Sequence, residues 1–203
     1  MKKRVFMFIP AIGISLFFLF QCSEKKPDQE TEKMEASLTG KTDFNGFGSQ
    51  IKWGEHLVTI GACNDCHTPK KMTELGPVLD TARWLSGHPA GMPGIDIDRM
   101  EIQKKGLVLT AGLTEWIGPW GVSYAANLTP DGTGVGNWTE EQFFRAIREG
   151  RSKGIPSART LLPPMPWDMY RHMTDEEIKA VFAYLRSIKP VNNLVPPPIP
   201  PGK

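Results

Sequence analysis

Cysteine is scarce in this chain, with three in 203 residues, at positions 22, 63 and 66. A disulfide framework needs more of them, and a zinc ribbon needs a second ligand pair that the sequence lacks. A surplus of one charge is missing too. The formal balance is +2, three of the positive charges are clustered at Lys2, Lys3 and Arg4, and the remainder of the chain is near −1. That balance gives no overall basic excess of the kind nucleic-acid binding draws on, so no nucleic-acid partner is expected. No internal repeat is visible. The longest apolar run, Val5 to Phe20, has sixteen residues and contains Pro10 and Gly13. It is short for a hydrocarbon core of about 30 Å spanned at about 1.5 Å per residue. With Lys2-Lys3-Arg4 in front, it has the form of a secretory signal over 1–21, and export is the expectation.

What is present is a tight cluster, Gly61-Ala62-Cys63-Asn64-Asp65-Cys66-His67. Two thiols three residues apart can add across the two vinyl groups of one haem edge, and the adjacent imidazole can coordinate the iron from below. A thioredoxin-like thiol pair needs a βαβ frame and has no use for His67. Cys63, Cys66 and His67 are therefore the candidate residues for one covalently bound haem c.

Around this cluster the chain divides by composition. Residues 23–48 are polar, mixed in charge and too poor in apolar side chains to offset their ordering entropy. They are expected to form a tether, its roughly 25 residues spanning about 25 to 30 Å as a flexible coil. Helical periodicity begins at Ser49, with Trp53, Leu57, Ile60 and Gly61 on one face, and runs into the cysteines. Residues 68–106 are broken by Gly and Pro and are expected to be a long loop with one short helix. Leu107–Thr110 and Val122–Ala126, with Gly112, Gly118, Pro119 and Gly121 between them, predict a small hairpin. Thr139-Glu140-Glu141-Gln142 and Thr174-Asp175-Glu176-Glu177 are capping boxes. The first opens a helix with Phe143, Phe144 and Ile147 on its apolar face and Gly150 at its end. The second opens a helix with Ile178, Val181, Phe182, Leu185 and Ile188 inward, stopped by Pro190. Arg145, Arg148 and Arg151 read as a solvated face, with a haem propionate as the other use for one of them. Prolines at 163, 164 and 166 make the stretch before the last helix a stiff loop. The tail after 190, with five prolines from Val195 on, is expected to be extended and frayed.

Two resemblances sharpen this reading. Leu19-Phe20-Gln21-Cys22 resembles a bacterial lipobox, with Gln21 where Gly, Ala or Ser is usual. The resemblance implies cleavage before Cys22, acyl chains on that residue, and a lipid anchor at the periplasmic face of a bacterial membrane. The segment from Gly54 through Cys63-Asn64-Asp65-Cys66-His67 to Pro69 resembles the start of class I c-type cytochromes. Asn127-Leu128-Thr129-Pro130-Asp131, followed by Gly134, Gly136 and Trp138, closely resembles a stretch of the cytochrome subunits of membrane-bound alcohol, aldehyde and gluconate dehydrogenases.

The family likeness covers about 49–190 and implies an all-α cytochrome c fold of three or more helices and long loops around one haem, with a small β-hairpin insertion. The first and last helices should cross near the haem. In the family a Gly-Pro pair after the haem motif often brings its proline carbonyl to the proximal histidine Nδ1. Gly76-Pro77 is one candidate for that place, while Leu85-Ser86-Gly87 resembles a loop of the dehydrogenase-associated cytochromes in the same region. Met165, in Pro164-Met165-Pro166, matches the Met-Pro whose thioether ligates the iron from above, a ligand that favours ferrous iron. Met169 and Met92 are its rivals, and His56, His88 and His172 are the bis-histidine alternatives. Trp167 and Tyr124 are candidates to line the haem.

The expected function is single-electron carriage rather than catalysis. A dehydrogenase or quinol-oxidising complex is the expected donor, and another cytochrome or a terminal oxidase the acceptor. The alternative is a haem protein with an open distal site that acts as a peroxidase or gas sensor.

Overall fold

The computed structural model describes residues 44–202. The expected signal segment, Cys22 and most of the expected tether lie outside the described residues. Helix α1, Gln50–Ile60, is opened by Ser49, whose hydroxyl accepts the Lys52 amide at 3.2 Å. Its buried face is Trp53, Gly54, Leu57 and Val58. Ile60, assigned to that face by periodicity, is instead 65 % exposed. The reason lies at Gly54, where the helix meets its main neighbour.

That neighbour is the last helix, α6, Asp175–Ser187. A side chain on Gly54 would run into the Ala180 carbonyl, with the Ala180 carbonyl carbon at 2.6 Å and Tyr184 Cβ at 2.8 Å. The backbones therefore approach at the distance that absence of a Cβ permits. Ile178, Val181 and Leu185 of α6 share one core with Trp53, Leu57, Val58 and Leu85. Helix α4, Glu140–Glu149, closes this core by stacking Phe143 on Phe182 at 4.9 Å between centroids.

Both capping boxes form. Thr139 with Gln142, and Thr174 with Glu177, exchange side-chain and backbone bonds reciprocally. In the remaining helices, α2 is Cys63–His67, α3 is Arg99–Lys104 and α5 is the single turn Trp167–Tyr170. Among the described residues no helix is long and apolar enough to cross a membrane.

The stretch expected as loop after the cysteines holds an antiparallel ribbon, β1 Lys70–Thr73 and β2 Gly76–Leu79, turning through Glu74 and Leu75. The hairpin expected further on is a three-stranded meander. Strand β3 is Leu109–Ala111, β4 Glu115–Gly118 and β5 Gly121–Tyr124, in that spatial order. The central strand β4 is wholly buried, so its Glu-Trp-Ile-Gly sequence carries no in-out alternation by which periodicity would reveal it.

The tail is extended but it is docked, not frayed. Ile199 exchanges both backbone bonds with Val122 of β5, at 2.8 and 3.0 Å, and the Gly202 amide reaches Gln103 Oε1 at 3.0 Å. Prolines 196–198, 200 and 201 have no amide to give, so Ile199 supplies the one N–H of that run.

Candidate cofactor site

Gly61 ends α1 by returning its amide to the Leu57 carbonyl at 2.8 Å, and Ala62 follows with φ 55°. That left-handed residue separates α1 from α2, so the cysteines stand on a short helix of their own rather than on a continuation of α1. Cys63 and Cys66 are both free thiols, half-buried, one turn apart. Burial pushes the Cys63 thiol up to about 11, opposed by a backbone hydrogen bond and aided by Cys66. The Cys66 thiol is also raised, first by burial and then by the Asp65 carboxylate, with Lys70 opposing. The attacking thiol of an exchange pair is lowered, which is the opposite direction to both shifts here.

His67 is 8 % exposed, and its Nδ1 lies 2.8 Å from the Ala126 carbonyl oxygen. A carbonyl can only accept, so Nδ1 carries the proton and donates it. Burial lowers the imidazole's affinity for a second proton, with the Ala126 bond opposing and Lys70 reinforcing. The ring is thus neutral near pH 7 and its Nε2 keeps a lone pair. No described residue hydrogen-bonds that nitrogen. Pro77 does not hold His67. It sits in β2 opposite Met72, and the acceptor is Ala126, directly before the Asn127-Leu128-Thr129-Pro130 stretch.

The rest of the support comes from Leu85-Ser86-Gly87. Leu85 accepts from the Leu128 amide at 2.9 Å, Gly87 donates to the His67 carbonyl at 2.7 Å, and His88 donates to Ala125 at 2.9 Å. Gly87 has φ +80°, and a Cβ there would lie 2.5 Å from the Ala126 carbonyl carbon. Gly87→Ala should therefore push the Ala126 peptide off His67 and cost about 2 kcal/mol, read from the denaturation midpoint. An unchanged midpoint would show that this contact relaxes freely.

Met165 lies half-buried on the loop before α5. Three bonds pin the segment around it. The Leu161 amide donates to Gly150 at 2.6 Å, Ser123 Oγ of β5 donates to the Pro163 carbonyl at 2.6 Å, and Tyr170 Oη donates to Gly61 at 2.5 Å. The last joins this segment to the residue two before Cys63. Ser123 and Ala126, three residues apart, thus hold the Met165 loop and His67 respectively.

The alternative ligands are differently placed. Met169 is 67 % exposed and Met92 44 %. Exposed His56 packs against Phe47, at 4.8 Å between ring centroids, and His172 is exposed. Buried His88 spends Nδ1 on Thr114 Oγ1 at 3.1 Å and its ring face on Tyr124. Trp167 packs against Gly150 and under the Arg171 guanidinium. Of the three arginines, Arg145 binds Glu141 and the Gly154 carbonyl, and Arg148 binds Asp175 and the Arg171 carbonyl. Arg151 donates to Ala158 at 3.3 Å, and its buried Nε has no hydrogen-bond partner among the described residues.

A haem fits this donor set. The two unpaired thiols, the neutral imidazole with a committed Nδ1 and an uncommitted Nε2, and a thioether on a pinned loop are the groups that covalent attachment and axial ligation require. Among the described residues there is no cluster of three or more His, Cys, Asp or Glu side chains able to hold a metal ion.

No protein-family model matches the chain. It is 44 % identical over 77 residues to the fructose dehydrogenase cytochrome subunit of Gluconobacter japonicus, covering 36 % of this chain and 15 % of that one. With the gluconate 2-dehydrogenase cytochrome c subunit of Pantoea cypripedii it shares 29 % identity over 157 residues, 76 % of this chain and 27 % of that one. It is also 30 % identical over 156 residues to a nicotinate dehydrogenase component from Pseudomonas putida, covering 74 % of this chain and 10 % of that protein. The chain thus spans between about a tenth and a quarter of the length of these relatives. Its homologues include cytochrome c subunits of fructose, gluconate and alcohol dehydrogenases.

Proposed function

We propose, taking the likeness to dehydrogenase cytochrome c subunits as premise, that this protein is a monohaem c-type cytochrome that carries single electrons and catalyses no reaction of its own. Cys63 and Cys66 hold the haem through thioether bonds, His67 is the proximal ligand and Met165 the distal one, on an all-α class I cytochrome c framework with small β insertions. The observation that carries this reading is the His67 Nδ1 bond to Ala126 beside two free thiols one helical turn apart.

Bound haem supplies reversible one-electron chemistry at iron. The chain's part is to anchor, orient and exclude water. The Cys63 and Cys66 sulfurs fix one edge of the cofactor. Ala126 holds the proton on His67 Nδ1, which aims Nε2 and raises the ring's basicity as a ligand. Prolines on both sides of Met165 restrict its backbone, so little rearrangement accompanies a change of charge at the site. Near-neutral net charge gives weak long-range steering, so partners dock mainly through short-range contact.

By the same likeness the donor is a dehydrogenase or quinol-oxidising complex and the acceptor another cytochrome or a terminal oxidase. The protein works at the periplasmic face of a bacterial membrane, held there by acyl chains on Cys22. Chain matured by a haem-attachment system should give one haem per polypeptide by pyridine haemochrome assay and a mass increased by one haem. Colourless protein of bare polypeptide mass would end the reading. Cys22→Ser should abolish palmitate labelling and move the protein from membrane to soluble fraction, and labelling that persists would rule the anchor out.

A further inference from the structure

The tail beyond α6 does more than cover β5, because Asn193 joins two segments that both touch His67. Its Nδ2 donates to the Ser86 carbonyl at 2.7 Å and the His88 carbonyl at 2.9 Å, and its Oδ1 accepts the Ala90 amide at 2.7 Å. Its backbone amide donates to Thr133 Oγ1 at 3.0 Å, and its carbonyl accepts Asn127 Nδ2 at 3.4 Å. The side chain thereby meets three needs of the 86–90 loop, a set that one amide group fills and no apolar residue can.

Between the two segments so joined lies His67. Gly87, inside the loop that Asn193 grips, donates to the His67 carbonyl at 2.7 Å and lies flush against the Ala126 peptide. Ala126, one residue before Asn127, takes the His67 Nδ1 proton at 2.8 Å.

We propose that Asn193 is a positioning residue for His67, fixing from the C-terminal tail the distance and direction of the Ala126 carbonyl that holds the Nδ1 proton. The proposal rests on the reading of His67 as proximal ligand for its consequence, a change in the potential of the bound haem. The geometric part concerns only the Nδ1 bond.

The test is hydrogen exchange of the His67 Nδ1 proton, followed by NMR in the full-length protein carrying Asn193→Ala or Asn193→Asp. The aspartate variant keeps the shape and the Ala90 acceptor but turns two donors into an acceptor facing two carbonyls. Both variants should speed His67 Nδ1 exchange about tenfold or more, while amides in the α1–α6 core exchange as in the parent. The potential of the haem-loaded variants should shift from the parent's while the haem content stays at one.

Nδ1 exchange at the parent rate in either folded variant would overturn the proposal. Equal acceleration at His67 and throughout the core would overturn it as well, since Asn193 would then be a general stabiliser. If Asn193→Ala does not fold, Asn193→Asp decides. Faster Nδ1 exchange in variants of a parent that never acquires haem would sustain the positioning role and refute the cytochrome reading, so the two failures are separable.

Discussion

Gly54→Ala should destabilise the folded chain by about 3 kcal/mol, and Gly54→Val by more, although helix propensity alone favours alanine at that position by roughly 1 kcal/mol. The two effects have opposite signs, so the direction of the result decides between them. Sterics should win because the new methyl meets backbone: the Ala180 carbonyl group, with Tyr184 Cβ 2.8 Å away. A flexible side chain could swing aside, but a helix backbone cannot. Accommodation requires α1 and α6 to part, which opens the shared core of Trp53, Leu57 and Val58 against Ile178, Val181 and Leu185. A small extra separation of packed surfaces forfeits a quarter to a half of their dispersion contact. Chemical denaturation of the haem-loaded protein measures the effect. Gly48→Ala, just before the helix and with nothing within 4 Å of the added atom, controls for the methyl without a contact and should change stability little. A Gly54→Ala protein as stable as its parent would mean that α1 and α6 slide past one another at little cost.

The elements whose information is local are legible in the sequence. Both capping boxes lie within four residues and form where Thr139 and Thr174 mark them. The Cys63–His67 cluster is likewise contiguous. The features that escape the sequence depend on distant partners or on backbone groups that every residue possesses. The acceptor for His67 is a carbonyl 59 residues away, at an alanine, and nothing in the Ala126 side chain distinguishes it from Ala125. The Gly76-Pro77 pair offers a visible pattern for that role, but the chain turns there into a ribbon. The docked tail is hidden because a proline-rich segment looks unable to pair, and one residue with an amide, Ile199, is enough to pair it. Spacing places Ile60 inward and counts Gly54 as neutral, since hydrophobic periodicity cannot register a contact made by the absence of a side chain.

Met165→Ala should leave the haem covalently attached and the chain folded, yet lower the reduction potential by on the order of 0.1 to 0.2 V, out of the roughly 0.8 V that axial ligation spans. The sign follows from the proposed ligand. A thioether donates weakly and stabilises ferrous iron, so its removal favours the ferric state. The weak far-red ferric band of sulfur ligation should disappear, and the ferrous form should bind carbon monoxide rapidly. Fold retention is expected because the loop is held by bonds that do not involve the Met165 side chain, those of Leu161 to Gly150, Ser123 to Pro163 and Tyr170 to Gly61. Met169→Ala is the discriminating partner, four residues on and 67 % exposed, and should leave spectrum and potential as they are. If the two variants exchange behaviours, the ligand is Met169 and the pinned loop serves packing. A parent that itself lacks the band and takes up carbon monoxide at once has an open distal position, which would turn the protein from a carrier of electrons into a binder of small gases or peroxide.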